Sequence, residues 1–214
     1  MGVRPVGIRI RMCRNWIGGG LRWTQRLLFA SAVVLLGYYG LVAADSWAFQ
    51  RRESRNLNRL LETVSAPSAA VVPSGLLGRL EIPRLGLSAI LIEGDDAKTL
   101  RRAVGHVPGT SLPGQLGNVA LTGHRDTFFR PVRNIRENDV IVVTTLQGEY
   151  RYRVLSTRIV TPDDVAVLNG GAGEILTLVT CYPFYFVGAA PDRFIVRAER
   201  VHAPTQSGPG GLNL

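Results

Sequence analysis

Eighteen consecutive residues without a charge, LLFASAVVLLGYYGLVAA at 27–44, set the first constraint on this chain. A helix over them is about 27 Å long at about 1.5 Å per residue, close to the hydrocarbon thickness of a bilayer. Tyr38 and Tyr39 fall toward one end, where amphipathic rings suit an interface. Six arginines (Arg4, Arg9, Arg11, Arg14, Arg22, Arg26) precede the run with no acidic residue among them, and Asp45 follows it. Four more arginines come soon after it (Arg51, Arg52, Arg55, Arg59). The bias toward positive charge before the run predicts a cytoplasmic N-terminus and an exported body. Val42-Ala43-Ala44 also resembles a signal-peptide cleavage site, but the run is longer than the roughly 7–15 residues of a signal core, so an uncleaved anchor is favoured. Both readings export the body of the chain.

The remaining organisation is read from composition. Residues 1–26 form a basic cytoplasmic arm, 27–44 the transmembrane signal anchor, 45–75 an amphipathic helix and linker, 76–201 the folded body, and 202–214 a Gly/Pro-rich disordered tail. The helix carries Leu57, Leu60, Leu61 and Val64 on one stripe with arginines around it, and is expected to continue the anchor and lie near lipid headgroups. The formal charge of +9 sits mostly in the arm, and the body has no lysine-rich stripe, which argues against nucleic-acid binding. Two cysteines are too few for a disulfide framework. The three histidines have no zinc-ligand spacing, so no metal or other cofactor is expected.

The body reads as strands separated by turn residues: GRLEI, SAILIE, NVALTG, DVIVVTT, YRYRVLSTRIV, EILTLVTC and RFIVRAE. Their β-branched content predicts a mostly-β barrel or sandwich. One short helix interrupts, capped by Asp95 or Asp96, with Ala97, Leu100 and Val104 on one stripe and Gly105 ending it. Asn138-Asp139 predicts a tight turn, since Asn tolerates positive φ.

Cys181 ends an apolar strand, EILTLVTC, read as central and covered on both faces, just before the aromatic loop YPFYF. Export leaves it a lone thiol, because Cys13 is inside or removed. Free cysteine is among the most buried residue types, and the strand pattern alone favours a structural thiol over a nucleophile. A nucleophile needs a base or cationic partner. His202 is in the tail, and His106, in AVGHVPGT after the short helix, is a candidate partner that reads as easily as a turn residue. His124 ends NVALTGH as Cys181 ends its own strand, so neighbouring strand ends would bring them together; it reads equally as a surface turn residue. Asp126 is a candidate to orient its imidazole, to cap a turn or to pair with Arg125. Arg193 opens RFIVRAE and shares a face with Ile195 and Arg197; it reads either as an oxyanion donor or as an edge-strand ion-pair partner of Asp192 or Asp126.

In order, "LTGHRDTFF", "TLVTCYPF" and "DRFIV" resemble the sortases, bacterial cysteine transpeptidases whose hallmark TLxTC is matched by Thr177, Leu178, Thr180 and Cys181. "GRLEIPRLGLSAILIEG" and "AVGHVPGTSLPGQLGN" extend the likeness, and the CYPF version looks most like class D. The resemblance implies a closed eight-stranded sortase-type β-barrel with short helices, preceded by an N-terminal transmembrane helix. It implies Cys181 as nucleophile, His124 as acid/base and Arg193 as oxyanion and substrate stabiliser, with Arg197 the second choice. It implies that Thr180 supports substrate and nucleophile geometry; by position alone, the aromatic loop Tyr182–Phe186 is expected to help form the apolar groove for the motif's leucine and proline, with Tyr182 and Phe184 as its substrate contacts. The partners it implies are an exported protein with an LPxTG-like C-terminal sorting motif, an amine acceptor and the membrane, with a catalytic domain outside the cytoplasmic membrane. Two rival readings are another envelope cysteine transpeptidase, such as an L,D-transpeptidase, whose SHGC pattern is absent, and a non-catalytic, membrane-tethered peptide-binding module.

Overall fold

The computed structural model describes residues 13–63, 75–171, 173–185 and 188–202. The first part of the arm, most of the expected linker and the tail from 203 lie outside the described residues. The chain divides into two compact units, Met1–Asp45 and Ser46–Leu214.

In the first unit, helix α1 (Cys13–Thr63) runs through the uncharged segment and continues past it into the second. Its apolar part has a mean hydropathy of 2.1 over eighteen residues, none of them buried, so by length and composition it can cross a membrane. Leu27, Phe29, Leu36 and Leu41 are all exposed, which suits a hydrocarbon solvent far better than water.

The second unit is a closed barrel. Its strands are β1 (Leu76–Ile82), β2 (Leu87–Glu93), β3 (Val104–His106), β4 (Gly117–Thr122), β5 (Val140–Thr145), β6 (Gly148–Val160), β7 (Glu174–Tyr182) and β8 (Asp192–Arg200). Their order around the barrel is β1-β2-β3-β4-β7-β8-β6-β5. Two neighbouring pairs, β2–β3 and β4–β7, are parallel; the rest are antiparallel. Closure removes the free edges of an open sheet. Alternation along each strand sends Leu80, Leu91, Leu121, Val143, Leu176 and Val196 into one interior cluster, as period-two geometry requires.

Two expectations change here. The short helix ends earlier than its apolar stripe suggests: α2 covers only Ala97–Leu100, and Val104 belongs to β3. Asp96, not Asp95, caps it, accepting from the Lys98 and Thr99 amides at 2.8 and 3.2 Å. Gly105 lies inside β3 instead of ending the helix, and a Cβ there would stand 2.3 Å from the Gly94 carbonyl oxygen. That close approach lets β3 join the sheet.

The second change concerns the helical stripe after the anchor. Leu57 does not face lipid; it is fully buried with Leu76, Ile90 and Ala103. Polar contacts fix the same stretch. Ser46 Oγ donates to the Arg101 carbonyl at 2.7 Å, Gln50 Nε2 to the Arg102 carbonyl at 2.6 Å, and Gln50 Oε1 accepts from the Ile90 amide at 2.9 Å. The arginines at 51, 52, 55 and 59 stay exposed. Apolar burial therefore decides the helix face, as transfer energetics predict.

The turn before β5 is built as expected, with Asn138 at φ 69°. Beside it the buried Asp139 carboxylate accepts from the Arg84 guanidinium, which also donates to the Asn134 carbonyl at 2.6 Å, and from the Arg136 amide at 2.8 Å. The Arg84 hydrogen bonds and the Arg136 amide hold its carboxyl below the usual carboxylate range, against the opposing effect of burial.

Two stability measurements check these packings. Leu57→Ala empties a fully buried site and should cost about 2–3 kcal/mol, read as an earlier melting transition of the barrel; an unchanged transition would mean that the helix does not dock. Asp139 has a lowered folded pKa, so its stabilisation is present above about pH 4 and fades as pH falls through the folded value. Asp139→Asn should lower Tm by roughly 5 °C at pH 7, and the gap to wild type should narrow progressively below about pH 4. A gap independent of pH contradicts the pairing.

Candidate active site

Strand β7 carries Cys181 near its C-terminal end, between β4 and β8. Leu176, Leu178 and Thr180 point inward and are buried, whereas Ile175, Val179 and Cys181 alternate outward and are half-buried. The strand is central, but its outer face is closed only at Thr177, whose hydroxyl donates to Asn118 Oδ1 at 2.8 Å. The double cover expected from its apolar run is thus partial, and the thiol sits where the outer face opens.

In the antiparallel β7–β8 ladder Cys181 pairs directly with Arg193, Val179 with Ile195 and Thr177 with Arg197. Directly opposite residues have Cβ atoms about 4.5–5.5 Å apart, within reach of a guanidinium, whereas Arg197 stands four residues further along. Arg193 shares the outward face of Cys181, and its strand β8 runs between β7 and β6, so it is not on an edge strand. It donates through Nη1 to the Asp192 and Ala190 carbonyls at 3.0 and 3.4 Å. Among the described residues it forms no ion pair, with Asp192, Asp126 or any other carboxylate, so Nε and Nη2 keep their donors.

The parallel β4–β7 ladder pairs Ala120 with Thr177 and Thr122 with Val179. Its last pair is closed by the Gly123 amide, which donates to the Val179 carbonyl at 3.3 Å. His124 follows that last pair, Thr122–Val179, by two residues, as Cys181 does on its own strand. Thr180 Oγ1, itself buried, donates to the Gly123 carbonyl at 2.7 Å and ties the two strand ends together just before His124. The turn after it is fixed as well, since the His124 carbonyl accepts from the Thr127 and Phe129 amides at 3.3 and 3.1 Å. Phe129 is fully buried, and a Cβ at Gly123 would come within 3.0 Å of its ring; glycine is what lets the ring close under the turn. His124 is half-buried and Asp126 is exposed, the latter 3.6 Å from Arg125 Nε.

The other two histidines are placed elsewhere. His106 is no turn residue: it is buried in β3, its Nδ1 2.8 Å from Glu93 Oε2 and its Nε2 3.0 Å from the Ser111 carbonyl. His202 stands 3.7 Å from Glu174.

Tyr182 alternates to the face opposite Cys181 and stacks on Phe194 with ring centroids 6.4 Å apart; Phe184 meets Phe194 edge-on at 5.3 Å. These rings gather across the sheet from the thiol. The concavity on Cys181's own face is lined by others: Ser156, Arg158, Asp164, Ala166, Val167, Ile195 and Arg197 bound a hollow of about 140 Å³.

One residue beside the site escapes any reading of the sequence. Arg125 is 6 % exposed and donates to the Pro183 and Gly188 carbonyls, both at 2.9 Å. It thereby holds the β7–β8 loop against the turn that carries His124. Its partners are 58 and 63 residues away along the chain, so no local pattern marks it.

Comparison with known proteins gives the family and the fold. A family profile described as Sortase domain matches residues 80–201. The chain is 38 % identical over 125 residues to Sortase D of Bacillus subtilis (strain 168), covering 58 % of this chain and 63 % of that protein's length. A Clostridium perfringens Sortase D5 transpeptidase superposes with a TM-score of 0.59 at 24 % identity, covering 73 % of this chain and 98 % of that one, a likeness of fold. Sortase C from Clostridium perfringens SM101 superposes with a TM-score of 0.55 at 27 % identity, covering 70 % and 87 %. With the profile spanning more than half its length and the closed eight-stranded barrel in place, the chain belongs to the sortase family.

Proposed function

We propose that this chain is a membrane-anchored sortase of the class D kind, which cleaves an LPxTG-like sorting motif after its threonine and joins the acyl part to an amine. The observation that carries the reading is the register: Cys181 lies opposite Arg193 on one side, and on the other the β4 ladder leads His124 to the same end. In this reading the three residue types that thiol acyl transfer needs share the open face at the ends of β4, β7 and β8.

In this reading the Cys181 thiolate attacks the threonine carbonyl carbon and forms a C–S bond. The displaced electron pair makes an oxyanion, which the free donors of Arg193 stabilise with backbone N–H groups. Protonated His124 gives its proton to the glycine nitrogen as the C–N bond breaks, leaving a thioacyl enzyme. An incoming amine then loses its proton to neutral His124, attacks the thioester and releases Cys181; water in its place gives hydrolysis. Thr180 contributes by position, holding the Gly123 carbonyl and so the His124 turn. Ile195, Ala166 and Val167 supply apolar surface for the motif's leucine and proline on the thiol's own face, a role that Tyr182 and Phe184 would have to reach from across the sheet. The apolar part of α1 anchors the enzyme, with the basic arm in the cytoplasm and the barrel outside. Its clients are exported proteins carrying the motif near their C-termini.

The test is cleavage and amine transfer of LPxTG-type peptides by the detergent-solubilised full chain. Cys181→Ala should abolish both. His124→Ala should lower kcat/KM by roughly 10²–10⁴, and Arg193→Ala by roughly 10²–10³, more than Arg197→Ala does. Retained cleavage in Cys181→Ala would rule out this chemistry. A normal Arg193→Ala beside an inactive Arg197→Ala would move the oxyanion role along the strand. Arg125→Met should free the β7–β8 loop, visible as faster proteolytic nicking between 183 and 191, and lower kcat/KM roughly tenfold, since a misplacement of about 1 Å at a site is costly. Unchanged nicking would deny Arg125 the clamp.

A further inference from the structure

The hollow on the same face of the sheet as Cys181 is only partly apolar. It lies over the β6–β8 ladder, where Ser156 pairs with Arg197 and Arg158 with Ile195, and is walled by Asp164, Ala166 and Val167 of the β6–β7 connection. Ile195, Ala166 and Val167 form its apolar part. Two arginines, Arg158 and Arg197, line it with a single acidic residue, Asp164. Among the described residues neither arginine belongs to an ion pair or donates a side-chain hydrogen bond, although other arginines of the barrel (Arg84, Arg153, Arg200) do pair. The hollow therefore carries net positive charge that the fold itself does not use.

Its position relative to the thiol says which part of a substrate can reach it. His124, which serves the leaving amine, is on the β4 side of Cys181. The acyl part must then lie on the opposite side, over β8 and β6. Arg197 stands four residues along β8 from the Cys181–Arg193 pair, about 13 Å at the rise of a strand. An extended peptide whose threonine carbonyl is at Cys181 covers the same span in four residues. That count passes the motif's proline and leucine, which fall beside Ile195, Ala166 and Val167, and ends on the residue immediately before the leucine.

We propose that Arg197, with Arg158 diagonally across from it on β6, forms a specificity subsite in this hollow for an acidic side chain at the residue preceding the motif's leucine. This rests on the sortase reading above and adds a charge requirement to it. A carboxylate there accepts from guanidinium donors in the bidentate manner that arginine favours. A lysine there meets two like charges, offset only in part by Asp164.

The experiment compares three LPxTG-type peptides that differ only in that residue, Glu, Gln or Lys, with the full chain in detergent. The order Glu over Gln over Lys is expected, with about a tenfold ratio of kcat/KM between Glu and Lys for a partly exposed charge site; the ratio should shrink as salt is raised. Arg158→Glu should bring the Glu-to-Lys ratio to about one or below, and Arg158→Gln to an intermediate value, each read as a ratio within one variant so that any loss of fold cancels. Equal turnover of the three peptides, a preference for Lys, or a ratio unmoved by Arg158→Glu overturns the subsite while leaving the sortase reading in place. No turnover of any of them by wild type overturns that reading, and the subsite with it.

Discussion

The parallel ladder between β4 and β7 is the constraint on which the rest of the site depends. Parallel strands cannot be joined by a tight turn, so β5 and β6 are built between them in sequence and added to the sheet elsewhere, beyond β8 and β1. The ladder then sets two strand ends side by side although they are more than fifty residues apart in the chain. The buried Thr180 hydroxyl on the Gly123 carbonyl closes the ladder at the end where the outer face opens. A shift of one residue in this register would turn Cys181 into the core and Thr180 out of it. Burial of Leu176 and Leu178 opposes such a shift.

Around that ladder the support is graded by distance. Phe129 under Gly123 fixes the turn, and Arg125 holds the β7–β8 loop to it. Further out, Arg84, Asp139 and the Asn134 carbonyl lock the turn before β5 to the connection after β1. Ser46, Gln50 and Leu57 join the end of α1 to β2 and the residues before β3. The barrel is thus a rigid frame with its polar contacts placed mostly at turns, which is how a strand end can be aimed accurately while the face above it stays open.

Much of this was legible in the sequence. Seven strands announced themselves by β-branched runs, and Asn138 by its turn chemistry. The strand-end placement of Cys181 and His124 was visible from the apolar runs that lead up to them and the loop residues that follow. What escaped was what alternation cannot show. β3 is three residues long with glycine at its centre, so Val104 fitted the helical stripe that precedes it as well as a strand. The stripe through Leu57 is apolar in the same way whether it meets lipid or a barrel, and only the burial of Leu76, Ile90 and Ala103 decides between them. Period two placed Arg193 and Arg197 on one face without saying which stands opposite the thiol; that needs the register of two strands joined by a loop. Arg125 and the charged end of the hollow depend on partners far apart in the chain, which no local pattern encodes.

The central claim is that the thiol at position 181 takes up the acyl part of a sorting peptide. Intact-mass spectrometry of the full chain, quenched in acid during turnover of an LPxTG-type peptide, tests it most directly. The account predicts an adduct equal to the peptide through its threonine less water, mapped to the fragment containing Cys181 and removed by hydroxylamine, as a thioester is. An enzyme that cleaves the peptide without ever carrying that adduct, or carries it on a fragment lacking Cys181, would contradict the account.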